Sequence, residues 1–248
     1  KDHQFQRAII DDVHPNMDVI KCSQIGLTEV QLRKVLAWLS RNQGLSAIFT
    51  LPNEKMFKRV SQTRVKPLVE TDTVFNKQRD EGSTRSMGLM QFGQSFLYLT
   101  GCTEGDATSI PADMVANDEV DLSPQDMLAL FSSRLQGSDH KINQRFGTPT
   151  FPGFGVDMGY QASDQHRYLL RCNHCNHWND PEFTRDFVHV PGLPDHIEHL
   201  TEIEPEIADD LDILGAHVHC EKCGSALDPG DWDNREWVPR YPTRRHAR

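Results

Sequence analysis

Residues 21–28 read Lys21-Cys22-Ser23-Gln24-Ile25-Gly26-Leu27-Thr28, between a stretch at 17–20 that reads as a strand and one with helical spacing from Thr28 to about Asn42. The octet lines up with the phosphate loop G-x-x-x-x-G-K-[ST], with the lysine moved to the first position and Leu27 where lysine ordinarily stands. The chemistry survives the move. Gly26 lets the backbone curl around a phosphate, a following helix offers free amide donors, and Thr28 can ligate Mg²⁺. Lys21 could reach the β- and γ-phosphates from the other side of the loop. Taken alone, the octet also fits an ordinary strand-to-helix turn. Outward from it, Val30, Val35, Leu36 and Leu39 recur at helical spacing, and 45–51 (LSAIFTL) reads as a strand ended by Pro52. Asn53 can cap a helix running toward Val65. Residues 86–101 read as two strands joined near Gly93, 113–117 and 141–147 as further strands, and Ser123 caps a helix with Pro124 at its first position. Strands alternating with helices predict an α/β fold, a mainly parallel sheet flanked by helices.

Two further elements lie in the order a nucleotide site needs. Met114-Val115-Ala116-Asn117-Asp118-Glu119 is an apolar strand ending in adjacent carboxylates, with Asp121 following. An Asp at a strand's C-terminal end can hold a Mg²⁺ shell, and the next Glu can orient and deprotonate a water. An acidic capping turn is the plainer alternative. Gly147-Thr148-Pro149-Thr150 ends the next strand, where small hydroxyl residues could sense a γ-phosphate and pass its loss to a neighbouring domain; an ordinary Pro turn would look the same. Loop and carboxylate pair together imply an ATPase.

The 248 residues carry 36 acids and 26 bases, a net charge of −10, which would ordinarily count against a nucleic-acid partner. The excess is local. Residues 180–213 hold eleven acids against one base, Arg185, and the other 214 residues balance with 25 of each. No apolar stretch approaches the roughly 18 residues of a membrane span. Both ends, Lys1 and the basic run 244–248, are expected to be cuts through a longer protein.

Four of six cysteines form two Cys-x-x-Cys pairs, Cys172/Cys175 and Cys220/Cys223; Cys22 and Cys102 stand alone as small filler residues. Four thiolates are the tetrahedral set that structural Zn²⁺ prefers, although His174, His177 or His219 could replace one. A reducing compartment and a metal clasp suit this spacing better than disulfides. Lys55, Lys58, Arg59, Arg64 and Lys66 either track a DNA backbone or form a solvated helix face. Gln4 and Phe5 are named for adenine recognition.

The combined order resembles the large terminase subunit of tailed bacteriophages, the lambda-like class. The resemblance rests on 21–29, on Asn117-Asp118-Glu119-Val120-Asp121, on 147–150, on Gly155-Val156-Asp157, and on Ser163-Asp164-Gln165 running into Cys172-x-x-Cys175. It implies a P-loop NTPase of RecA/ASCE-like type over 1–167, a zinc-ribbon-like four-cysteine module with an acidic loop over 168–236, and a linker at 237–248 toward an absent C-terminal nuclease domain. It further implies an ATP-driven motor that pumps double-stranded viral DNA through a portal into a procapsid. Partners would include a small terminase subunit and further copies of the chain in a ring, in the host cytoplasm and away from membranes. The resemblance makes Lys21 to Thr28 the ATP-binding loop, Thr28 and Asp118 the Mg²⁺ ligands, Glu119 the catalytic base beside Lys21 and Asp118, and Gly147, Thr148, Pro149 and Thr150 the coupling segment. It makes Cys172, Cys175, Cys220 and Cys223 the ligands of a structural zinc. Many such motors carry an arginine inside the loop where Gln24 stands here, so Arg134 or a neighbouring subunit would supply that charge. A helicase-like ATPase and a zinc-stabilised binding module with an inactive nucleotide fold are the competing readings. The acidic loop, repelled by DNA, is expected to face away from it or meet a basic protein.

Overall fold

The computed structural model describes residues 4–72, 74–75, 86–244 and 247–248. The chain divides into two compact units, one formed mainly by Gln6–Gln165 with the last eight residues, the other by His166–Arg240 with the first five. The stretch 237–248, expected as a linker, is thus shared between them.

The first unit is built on a six-stranded sheet. Its elements begin with α1 (Phe5–Asp11), β1 (Asn16–Ile20), α2 (Leu27–Arg41) and β2 (Ser46–Leu51). Next come α3 (Glu54–Val60), a π-helical turn at Ser61–Val65, and α4 (Lys66–Thr71). Then follow β3 (Leu89–Phe92), β4 (Ser95–Gly101), α5 (Glu104–Ser109), β5 (Met114–Asp118), α6 (Gln125–Ser133), β6 (Ile142–Gly147) and α7 (Gly155–Ala162). The sheet order is β1-β6-β5-β2-β4-β3, parallel except for β3, which pairs antiparallel with β4. Parallel strands need covered faces, and these have them. Along β2, Ala47, Phe49 and Leu51 pack into one core with Leu32, Val35, Leu36 and Leu39 of α2, whereas Ile48 points into the opposite core with Val115, Leu128 and Phe131.

Local sequence explains the breaks. Asn53 caps α3 as expected, its side chain accepting from the Met56 amide at 3.0 Å. The helix does not run straight to Val65, because Pro67 has no N–H for the Thr63 carbonyl; the wider π turn just before it takes up the mismatch. The expected Ser123 cap is also corrected. Pro124, extended at φ −60° and ψ 120°, is the residue that precedes α6, and the Ser123 hydroxyl donates instead to the Glu119 carbonyl at 3.3 Å.

The second unit holds two small antiparallel sheets. In one, β7 (His166–Arg171) lies between β8 (Trp178–Asn179) and β12 (Arg235–Pro239); in the other, β10 (His217–His219) lies between β9 (Val188–His189) and β11 (Ala226–Leu227). The acidic stretch 180–213 is folded, with α8 (Pro205–Ala208) inside it and Val190, Ile197 and Leu200 buried. Among the described residues no helix is long and apolar enough to cross a membrane.

Phe49 is fully buried at the centre of the sheet, so Phe49→Ala should cost about 3–5 kcal/mol by removing a large core side chain. Chemical denaturation reads this directly. A loss below about 1 kcal/mol would contradict a close-packed core around β2.

Candidate functional site: a cleft at the strand ends

Parallel pairing brings the C-terminal ends of β1, β5 and β6 to one side of the sheet. Ile20 is opposite Gly147, and Asp118 is opposite Phe146, so the residues that follow these strands converge. The Lys21 amide donates to the Gly147 carbonyl at 2.9 Å and fixes where the loop starts. Gln24 and Gly26 both have left-handed backbones, φ 64° and 79°. At Gly26 a Cβ would also lie 3.0 Å from Nε2 of Gln6, which donates to the Ile25 carbonyl at 2.6 Å. Gln6 therefore braces the loop from α1. Of the residues expected to recognise adenine, Gln4 is exposed, and Phe5 belongs to the second unit, its ring 6.1 Å from that of Tyr168.

Lys21 is 5% exposed and Asp118 1%. The lysine Nζ lies 2.6 Å from Asp118 Oδ1, 2.9 Å from Glu119 Oε1 and 3.1 Å from Thr28 Oγ1, and Thr28 Oγ1 donates to Asp118 Oδ2 at 2.7 Å. Burial of one ammonium and one carboxylate is tolerable only because they face each other. Glu119 takes a left-handed backbone, φ 55° and ψ 50°, uncommon outside glycine and held here by the turn Val120–Leu122. Beneath the cluster, buried Gln31 of α2 donates to the Asn117 carbonyl at 3.2 Å, and Asn117 Oδ1 accepts from Thr50 at 2.7 Å. Helix α2 is thereby tied to β5 and β2.

Asp121 joins the turn after Glu119 to the segment 148–156. Its carboxylate accepts from the Thr150 amide at 2.9 Å, the Thr150 hydroxyl at 3.0 Å and the Val156 amide at 2.9 Å. Gly155, at φ 55°, is pressed so close that a Cβ would sit 2.3 Å from Asp121 Oδ1. Residues 21–28 line a cleft of about 730 Å³ with Glu119, Thr148, Pro149 and Thr150, together with Met56, Arg64 and Leu122.

Other residues are placed elsewhere. Arg134 donates to the Thr108 carbonyl and Ser133 hydroxyl at 3.0 Å each and is not among the cleft's lining residues. Cys22 is exposed in the loop, while burial pushes the Cys102 thiol up to about 11, which makes it inert filler. Burial likewise pulls Lys34 down to about 8, although its ammonium caps the Ile9 carbonyl at 2.8 Å. Burial raises Asp18 above the usual carboxylate range, against the opposing pull of Arg145 at 2.7 Å.

In the second unit the sulfurs of Cys172, Cys175, Cys220 and Cys223 all lie within 4.8 Å of one another. Two cross-pairs stand at 3.7 Å and 3.6 Å. A tetrahedral zinc with Zn–S bonds of about 2.3 Å has S–S edges of about 3.8 Å, so the set fits that ion. The two knuckles share one backbone design. The Asn176 amide donates to the Cys172 carbonyl and the Gly224 amide to the Cys220 carbonyl, at 2.9 Å and 2.8 Å. Both donors are left-handed, φ 59° and 70°. His177 is occupied by Glu221 at 2.5 Å.

A family model described as "Phage terminase large subunit gpA, ATPase domain" matches residues 3–237. Among solved structures, the chain is similar to a large terminase from a thermophilic bacteriophage, with TM-score 0.50 and 14% identity over 64% of this chain and 41% of that one. A large terminase from the same phage in complex with ADP is also similar, with TM-score 0.49 and 12% identity over 65% and 42%. The chain therefore spans less than half the length of these large terminases. At 14% identity the first likeness speaks to the fold. No curated protein matches the chain.

Asp121→Ala would leave the part-buried Val156 amide without its acceptor, a loss that costs about 1–3 kcal/mol, and would turn the exposed Thr150 amide to water. Asp121→Asn keeps one acceptor oxygen and should lose less. Denaturation of the three proteins should rank them wild type, Asn, Ala; three equal stabilities would contradict the anchoring role.

Proposed function

The chain belongs to the phage terminase large subunit gpA ATPase-domain family, and from that premise we propose that it binds Mg²⁺–ATP in the cleft at the strand ends and hydrolyses it to drive viral DNA packaging. The observation that carries this reading is the cluster of Lys21, Thr28, Asp118 and Glu119, drawn together from segments about 90 residues apart in the chain.

Each residue has a task its position suits. The loop amides and the start of α2 face the phosphates. Thr28 Oγ1 and Asp118 Oδ2, 2.7 Å apart, are the hard oxygen donors that would hold Mg²⁺. Held there, Mg²⁺ would supply positive charge to offset that of the phosphates. Glu119, 27% exposed and reachable from the cleft, orients the attacking water and takes its proton. Lys21 exchanges its contact with Glu119 for phosphate oxygens as nucleotide enters, which frees the base when substrate is present. The segment 147–150 reports the loss of the γ-phosphate through Asp121, which links it to the turn beside Glu119.

The four-cysteine set would hold one structural zinc with no open position. Double-stranded DNA, the portal and procapsid, the small terminase subunit and neighbouring copies of the chain in a ring are the partners this role requires, in the host cytoplasm.

Glu119→Gln should lower turnover by about 10²–10⁴-fold while ATP binding is retained, measured by steady-state hydrolysis and equilibrium titration. Unchanged turnover removes Glu119 from the base role. Metal analysis should give about one zinc per chain, lost in Cys172→Ser together with the fold of the module; wild-type protein that carries no metal would sink the clasp.

A further inference from the structure

Among the residues lining the nucleotide cleft, two are cationic, Lys21 and Arg64. They differ in how they are used. The Lys21 ammonium is shared among Asp118, Glu119 and Thr28, whereas the Arg64 guanidinium has no hydrogen-bond or ion-pair partner among the described residues. Arg64 lies in the π turn Ser61–Val65, and such turns interrupt α-helices frequently at functional sites. Its basic neighbours in sequence have other surroundings. Lys55, Lys58 and Arg59 line a separate shallow surface with Glu54, and Lys58 pairs with Glu54. The cluster that looked continuous in sequence is therefore divided by the structure.

Charge balance gives Arg64 a purpose. ATP with one Mg²⁺ carries a net charge of about −2, and hydrolysis spreads negative charge over the γ-phosphoryl oxygens. Lys21 supplies one positive charge. The loop supplies no second, since Gln24 is neutral, and Arg134 is bonded to Thr108 and Ser133 away from the cleft. A guanidinium presents a planar fork of donors that matches phosphoryl oxygens, and it stays charged at any working pH.

The geometry points to Arg64 as a catalytic residue that contacts the γ-phosphoryl group in the same chain that binds the nucleotide. This rests on the reading of the cleft as an ATP site. In the step, the water oxygen bonds to the γ-phosphorus, the bond from that phosphorus to the ADP oxygen breaks, and the water proton passes to Glu119. Arg64 moves no proton; it holds the charge that develops.

The test compares wild type, Arg64→Ala, Arg64→Lys and Arg134→Ala as folded full-length chains, with DNA absent. ADP affinity is titrated with Mg²⁺ alone and then with aluminium fluoride added, and ATP turnover is followed beside it. Arg64→Ala should keep ADP affinity within about twofold, lose the tightening by aluminium fluoride, and lower kcat about 1,000-fold or more, the low end of what such arginines contribute. Arg64→Lys should recover part of the loss, and Arg134→Ala should match wild type. The proposal is overturned if Arg64→Ala keeps both kcat and the aluminium fluoride effect, if it raises KM alone, or if its only defect is weaker binding to duplex DNA. Wild-type protein that binds no ADP with Mg²⁺ overturns the nucleotide reading itself, and this inference with it.

Discussion

A buried ammonium at the end of β1, held between two carboxylates at the end of β5, is the interaction on which the rest of the site depends. Lys21 and Asp118 are almost wholly enclosed, so each is affordable only with the other in place. Removing one partner of such a pair typically costs about 3–5 kcal/mol, because a charge is left buried alone. The pairing also demands a particular sheet. β6 must lie between β1 and β5, with Ile20 level with Gly147 and Asp118 level with Phe146, or the three strand ends would not open on one cleft.

That cluster sits at the mouth of a larger polar arrangement. Gln31 anchors α2 to β5 from below, Gln6 braces the loop from the side, and Asp121 ties the turn after Glu119 to the segment after β6. Each fixes backbone rather than touching the cleft's contents, which is how a site made from loops gains definition. Glu119 itself stands in a strained conformation at the point where these supports meet.

Much of this was legible in the sequence, for physical reasons. Parallel strands buried on both faces read as short apolar runs, so 45–51 and 113–117 stood out, and Asn53 announced its helix by a side chain that accepts a hydrogen bond. The loop, the Asp118-Glu119 pair and the four cysteines carry chemistry in their residue types. What the sequence withheld depends on distant neighbours. Gln6 and Asp121 acquire meaning only through partners 19 and 29 residues away. Arg64 read as one more member of a basic helix, although Pro67 three residues on was the local sign that the turn carrying it is widened. Ser123 and Pro124 looked like a cap and first residue, but the Glu119 carbonyl competed for the hydroxyl. The charge of −10 likewise misleads as an average. It belongs to an insert that folds around Val190, Ile197 and Leu200 in the four-cysteine unit, leaving the sheet unit free of that excess.

The central claim is that the Lys21 cluster is a nucleotide and metal site. A crystal structure with Mg²⁺ and a non-hydrolysable ATP analogue tests it most directly. The account predicts phosphates within the loop 21–28, a metal between Thr28 Oγ1 and Asp118, and the Lys21 ammonium moved from Glu119 onto phosphate oxygens. A nucleotide bound elsewhere, or a Lys21–Glu119 pair that survives nucleotide binding, would contradict it.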